Sequence, residues 1–263
     1  IDLNQDIDPE YYFRYSQSLK SIGEYTKANE MLEKFHQKKG GDSRGEKYES
    51  QKKYLEIIEE NSGRYVVENA GIINSKFSDY GSAIIGDQLV FASARDTGGL
   101  SSRKHEWTNQ SFTNLYGSKI KGDGNLEKPE KFSKALNSKF HESTPIFTKD
   151  GQTMYFTRNN YTDGKARKDS KKTILLKLYK ATLKDGKWSD DIELPFNSNE
   201  YSVAHPALSP DDKYLYFASD LPGTLGSSDI YRVEINGDSY GAVENLGSVI
   251  NTESRDTFPF ITD

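Results

Sequence analysis

The sequence predicts a mainly β protein with an N-terminal α segment, and three observations carry that prediction. Apolar residues in the first sixty or so positions fall at helical spacing, the apolar period shortens to two after Asn61-Ser62-Gly63, and the alternating segments then recur as similar units separated by tight-turn residues. The expected organisation is a helical segment over 1–61 and four-stranded repeats over 62–263.

Composition is compatible with that division. A chain of 263 residues with 34% hydrophobic content can bury a core, and its 17 Tyr and 13 Phe favour strands over disorder. The mean hydropathy is -0.81, and the chain lacks an apolar run of about 18 residues, so no membrane-spanning helix is expected. With 35 basic and 40 acidic residues the net charge is -5, so no global positive field gathers polyanions and nucleic acid is not an expected partner. The absence of cysteine excludes disulfides, thiolate metal sites and a Cys nucleophile, and suits the cytoplasm and the Gram-negative periplasm equally. Residue 1 is Ile, with no charged stretch and apolar run after it, so any targeting segment is expected to have been removed or to lie upstream.

In the helical segment Tyr12, Tyr15, Leu19 and Ile22 share one helical face, and Ala28, Leu32 and Phe35 share the next. Gly23-Glu24-Tyr25 separates the two helices, Gly40-Gly41-Asp42 ends the second, and a third helical run is expected from Glu46 to Glu60 with Tyr54, Ile57 and Ile58 apolar. The order Tyr12, Tyr15, Leu19, Gly23, Tyr25, Ala28, Leu32, Phe35 resembles a tetratricopeptide repeat. A helix pair of that kind cannot bury its apolar face alone and leans on a neighbour.

Three β units follow. Ser82–Ile85, the turn Gly86-Asp87 and Gln88–Ser93 form the first hairpin; Thr144–Thr148, Lys149-Asp150-Gly151 and Thr153–Thr157 the second; His205–Ser209, Pro210-Asp211-Asp212 and Tyr214–Ser219 the third. A third strand is expected around Leu115-Tyr116, Leu178-Tyr179 and Ile230-Tyr231, and a fourth near Phe132, Ile192–Leu194 and Val243–Leu246. Four strands per unit with variable insertions is the spacing of an incomplete β-propeller, with blades over 78–136, 140–197 and 203–251 and the start of another at 255–263. In Ser209-Pro210-Asp211-Asp212, Pro presets φ for a turn and Ser and Asp cap it, so the motif is expected to shape a hairpin and to do no chemistry.

Residues 64–263 resemble the TolB-type, WD40-like propeller repeat, whose proline, Ser-Pro-Asp turn, Leu-Tyr-Phe strand and Asp-Ile-Tyr strand are matched by Pro206, Ser209-Pro210-Asp211, Leu215-Tyr216-Phe217 and Asp229-Ile230-Tyr231, with Asp212 where the pattern has Gly. With the helical repeat in front, the order is similar to the N-terminal part of flavobacterial OmpA-family envelope proteins. That resemblance implies a non-enzymatic scaffold in the periplasm, associated with the outer membrane. Its implied partners are proteins, an outer-membrane barrel of the PorP/SprF kind or components of type IX secretion or gliding systems. Peptidoglycan binding would reside in domains that these residues do not include.

The segment Arg64–Glu68 alternates, and Asn69–Asn74 after it echoes Glu244–Asn251, so residues 64–69 are expected to form an outer strand that closes a blade begun elsewhere. Phe258-Pro259-Phe260 repeats the innermost strand of a fourth unit. Three units and one strand make an open fan, whose edges further repeats or a partner would cover.

Motifs for chemistry are missing. His36, His105, His141 and His205 show no metal-ligand spacing, so neither metal nor other cofactor is expected. No nucleophile elbow occurs, Thr148–Thr153 departs from the sialidase box, and no calcium loop is present. Two insertions between second and third strands are the candidate docking surface, because loops held by a rigid scaffold carry function. Arg95, Arg103, Lys104 and Trp107 mark the first, and Lys165, Arg167, Lys168, Lys171 and Lys172 the second. Both are expected on one face; the plainer reading is solvated loops, as charge runs usually are. Alternatives to a scaffold are a propeller binding a peptide or glycan in its channel and an accessory domain of an absent hydrolase.

Overall fold

A computed structural model describes residues 7–95, 104–106, 108–162 and 164–262. The chain divides into two compact units, Ile1–Glu68 and Asn69–Asp263.

The first unit is helical. Helix α1 (Pro9–Ser21) starts on an Asp8 cap whose carboxylate accepts from the Glu10 N–H at 2.9 Å, with Pro9 in the first turn where it loses no hydrogen bond. Gly23, at φ +79, reverses the chain into α2 (Tyr25–Lys38). Tyr12 and Leu19 of α1 meet Ala28, Met31 and Phe35 of α2 in one apolar cluster. Tyr15, Ile22 and Tyr25 share the apolar spacing but face solvent.

The expected run Glu46–Glu60 is two helices, α3 (Ser43–Ser50) and α4 (Tyr54–Glu60). The Ser50 hydroxyl donates to the Lys47 carbonyl, a local bond that competes with helix continuation. The break lets Tyr54 donate to Asn29 and receive the Lys20 ammonium over its ring. Buried Arg44 ties this unit together, bridging Asp42 and Glu10 and lying over Phe13 and Phe35. Beyond α4, residues 64–68 form no strand, and Tyr65, Val66 and Val67 are 85–91% exposed. Alternation supplies a face, but a strand forms only where a neighbour accepts its backbone hydrogen bonds.

The second unit is a series of antiparallel sheets in chain order. Strands β1 (Asp79–Ile85), β2 (Gln88–Ser93), β3 (Asn114–Lys119) and β4 (Glu130–Lys131) make the first. The second contains β5 (Glu142–Phe147) and β6 (Thr153–Asn159); a ribbon of β7 (Tyr161–Thr162) and β8 (Lys165–Ala166) intervenes before β9 (Leu176–Lys184) and β10 (Lys187–Glu193) complete it. The third has β11 (Val203–Leu208), β12 (Tyr214–Ser219) and β13 (Asp229–Asn236), with β14 (Ser239–Tyr240) and β15 (Glu244–Asn245) both on β13. No sheet among the described residues closes on itself.

The first strands of successive sheets are neighbours: β1 packs on β5, and β5 on β11. Each carries a bulge whose extra residue is left-handed, Gly81 (φ +62), Thr144 (+46) and His205 (+57), and Phe258 (+54) holds the same place before Pro259. Left-handed backbone costs a non-glycine residue about 1–2 kcal/mol, so its recurrence shows that packing dictates it. A Cβ on Gly81 would come within 3.0 Å of Thr144, which is why glycine stands there. Although Phe258 holds that place, residues 256–262 form no strand and Phe260 is exposed. The turn chemistry read at Ser209 is present: its hydroxyl donates to Asp211 and accepts from the Tyr214 N–H, and Thr148, Asp150 and Thr153 repeat it.

An asparagine after each fourth strand locks each sheet. Asn137 accepts from the Leu115 N–H (2.9 Å) and donates to the Leu115 carbonyl (3.2 Å); Asn197 does the same to Leu178 and Asn251 to Ile230. The residue before each of the first two inserts into the next sheet, Leu136 into the cluster with Phe156 and Tyr179, Phe196 onto Phe217. At the start of the series Ile73 packs on Phe91 and Tyr116 of the first sheet in the same manner.

Candidate functional site: a cleft between two insertions

The first insertion leaves β2 and returns to β3, and the second leaves β6 and returns to β9, so both spring from the same end of adjacent sheets. Each is fixed by its own hydrogen bonds. In the first, the His105 N–H donates to Gln110, Lys104 bridges Ser111, and the Gln110 side chain accepts from Ser78. In the second, the Asp169 carboxylate accepts from the Lys171 and Thr173 N–H groups and its carbonyl from the Lys172 N–H, which sets Lys172 at φ +67.

Between them lies a cleft of about 550 Å³ lined by Lys104, His105, Glu106 and Phe112 from one side and Lys168, Lys172, Thr173 and Ile174 from the other. Phe140, His141 and Asn159 complete the lining. The floor is aromatic: the Phe112 ring lies 4.6 Å from His141, 5.7 Å from His105 and 5.9 Å from Phe140, mostly in tilted or edge-on pairs. Lysines at the rim make the opening cationic over an apolar base.

His141 joins the two sheets. Its Nδ1 accepts from the Thr113 N–H at 3.1 Å, while its backbone N–H donates to Asn159. Burial, helped by the neighbouring His105, pushes the imidazole down to about 4. At neutral pH the ring is uncharged with its proton on Nε2, because Nδ1 is an acceptor.

Of the residues expected to dock a partner, Lys104, Lys168 and Lys172 line the cleft. Lys165, Arg167 and Lys171 are exposed on the second insertion outside it. Arg103 and Trp107 lie outside the described residues. Arg95 is elsewhere: it pairs with Asp79 at 2.8 Å, donates to the Ile73 carbonyl and lies over Phe91 and Tyr116. These bonds hold the guanidinium at the first sheet, apart from the cleft, and there Arg95 lines a separate concavity of about 790 Å³ with Ile72, Lys128, Glu130, Lys131 and Lys134. The aromatic floor was not foreseen; Phe140 and His141 sit in a linker between units, where no local pattern pairs them with an insertion.

Among the described residues, two further concavities are smaller than the cleft, whereas the one beside Arg95 is larger. One of about 150 Å³ beside His205, Asp220 and Arg255 falls below the roughly 300 Å³ at which ligand pockets begin. Another of about 250 Å³ lies in the helical unit along Phe13, Lys20, Tyr48 and Tyr54. Among the described residues no group of three or more His, Cys, Asp or Glu side chains is arranged to hold a metal.

No family model matches the chain, and no curated protein matches it. Among solved structures it is similar to a puromycin-hydrolysing peptidase of Mycobacterium tuberculosis, at 14% identity over 65% of this chain with a TM-score of 0.41. It is also similar to a thermostable family-43 glycoside hydrolase, at 9% identity over 64% of this chain with a TM-score of 0.39. The chain spans 22% and 53% of the lengths of those two proteins.

Proposed function

We propose that this chain is a non-enzymatic scaffold, an incomplete β-propeller behind a tetratricopeptide-like helical segment, that docks a protein partner in the cleft between its two insertions. The observation that carries the reading is the convergence of two separately braced insertions on one aromatic-floored, lysine-rimmed cleft. Aromatic groups in a recess supply the desolvated anchor that interfaces favour, and rim cations select an acidic partner surface and speed its capture.

The resemblance of the repeats to those of OmpA-family envelope proteins supplies the setting: the periplasmic side of the outer membrane, with a PorP/SprF-type barrel or a type IX secretion component as partner. Lysines whose neighbours leave them exposed fit such a role better than a buried structural one.

The test is recovery of a barrel from envelope extracts by the tagged protein. Replacing Lys104, Lys168 and Lys172 together by Ala is expected to lower recovery at least about tenfold, which is the loss of some 1.4 kcal/mol spread over three rim charges. The control Lys165→Ala with Lys171→Ala, outside the cleft, is expected to leave recovery within about twofold, by the small worth of isolated surface charges. Equal recovery by all three proteins would refute docking in the cleft.

A further inference from the structure

The second sheet matches its own charges at a place where the first sheet does not. Opposite the tyrosine of the third strand stands Glu193 in the second sheet, Asn245 in the third and Lys131 in the first. Glu193 accepts from Lys177, and Asp191, two residues before it on the same strand, accepts from Arg158. Asn245 donates to the Asp229 carboxylate at 2.8 Å. The outer strand of the second sheet thus brings two carboxylates to the cations of its neighbours, whereas that of the first brings a further cation.

That cation lies in the concavity of about 790 Å³ beside β4, within the roughly 300–1,000 Å³ of ligand sites. Arg95, Lys128, Lys131 and Lys134 line it against one acid, Glu130. Arg95 is matched by Asp79 at 2.8 Å. The three lysines are exposed and make no ion pair among the described residues, so against Glu130 they leave two positive charges uncompensated (three minus one). Like charges gathered on one concave surface repel, and an anion that enters relieves that repulsion as well as making its own contacts. Ile72, 57% exposed, adds an apolar wall.

We propose that this concavity is a second binding site, which takes an acidic peptide segment of a protein partner. The second sheet indicates the chemistry of the occupant, since there the arginine in the place of Arg95 holds an aspartate side chain from the outer strand. In the first sheet the carboxylate comes from outside, with Arg95 and Lys131 as its seat and Lys128 and Lys134 meeting further acids. Ile72 gives an apolar contact that the side chains of a peptide can use and an inorganic polyanion cannot. None of these residues lines the cleft between the insertions, so the site stands independently of docking there.

The probe is fluorescein-labelled hexaglutamate, followed by anisotropy at low salt, where screening is weakest. The full chain carries Lys104→Ala, Lys168→Ala and Lys172→Ala, so that the cleft contributes nothing. Saturable binding is expected with Kd below about 1 mM, and none with labelled hexaglutamine. Adding Lys131→Glu, the residue that the second sheet has at this place, should weaken binding at least about tenfold with an unchanged circular dichroism spectrum. Lys128→Gln with Lys134→Gln, both outside β4, should weaken it at least about threefold, and decides alone if Lys131→Glu disturbs the spectrum. No saturable binding of hexaglutamate, equal binding of hexaglutamine, equal binding by these variants and their parent, or saturation by tripolyphosphate without hexaglutamate would overturn the proposal.

Discussion

The first two sheets and the third solve one packing problem with different chemistry. In each, a Phe on the second strand and a Tyr on the third form a pair that the residue before the preceding clamp asparagine must cover. In the first sheet Arg95 lies over Phe91 and Tyr116 and donates to the Ile73 carbonyl; in the second Arg158 lies over Phe156 and Tyr179 and donates to the Leu136 carbonyl at 2.6 Å. Each arginine pairs with an acid at the start of the first strand, Asp79 or Glu142. The third sheet has Val203 in the acid's place; there the Phe196 ring stacks on Phe217 at 4.9 Å, and the Tyr201 hydroxyl donates to the Phe196 carbonyl. A flat cation and a flat ring are thus interchangeable over the pair. The cation brings a buried charge that must be matched.

Arg158→Leu is the strongest way to break that comparison. It leaves Glu142, which is fully buried, without its cation, and removing one partner of a buried pair costs about 3–5 kcal/mol. Urea unfolding at pH 8 should show this loss. Pairing it with Glu142→Val, which imports the third sheet's solution, should restore more than half of it. A double variant as unstable as the single one would mean that the arginine acts through Asp191, which it also contacts, and not through Glu142.

The pH response separates the first two sheets. Burial pushes the Glu142 carboxyl up to about 7, against the pull of Ser138 and Arg158. Burial also raises Asp79, but bonds from Arg95, Ser93 and Ser75 outweigh it and hold that carboxyl below its usual value. Below pH 4.5 Glu142 is protonated in both folded and unfolded chains and contributes nothing. As pH rises towards 7 the unfolded chain ionises first, so stability is lost across that window, by up to about 3 kcal/mol at about 1.4 kcal/mol per unit. Asp79 has the opposite sign, its contribution fading as pH falls below 4. Glu142→Gln should flatten the decline between pH 5 and 8 in chemical unfolding; an unchanged slope would assign it to another group.

Much of this fold is legible in the sequence. Strand order, the three hairpins and the turn at Ser209 follow from alternation and from Pro, Gly, Ser and Asp at fixed offsets, because those effects are local. The break at Gln51–Lys53 was not legible, since no Gly or Pro marks it and the contacts of Tyr54 are tertiary. The same holds for the cleft. Lys168 and Lys172 stand out as a charge run, but the floor of Phe112, Phe140 and His141 is assembled by bonds such as His141 to Thr113, 28 residues apart. Asn74, Asn137, Asn197 and Asn251, each followed by Ser or Thr, are a visible recurrence whose meaning needs the strand that each does or does not hold.

The smallest expected effects grade those four asparagines. Asn251 is buried and makes two backbone bonds, so Asn251→Ala strands an N–H in the interior and should cost about 2 kcal/mol. Asn137 and Asn197 make the same two bonds where solvent can reach them, and water can replace part of what alanine removes, so about 1 kcal/mol is expected. Asn74→Ala should cost under about 0.5 kcal/mol, because an exposed side chain bonded only to Asn69 holds no strand. Thermal unfolding of the four variants should follow this order. A loss at Asn74 equal to that at Asn137 would show that its amide already holds backbone within this chain.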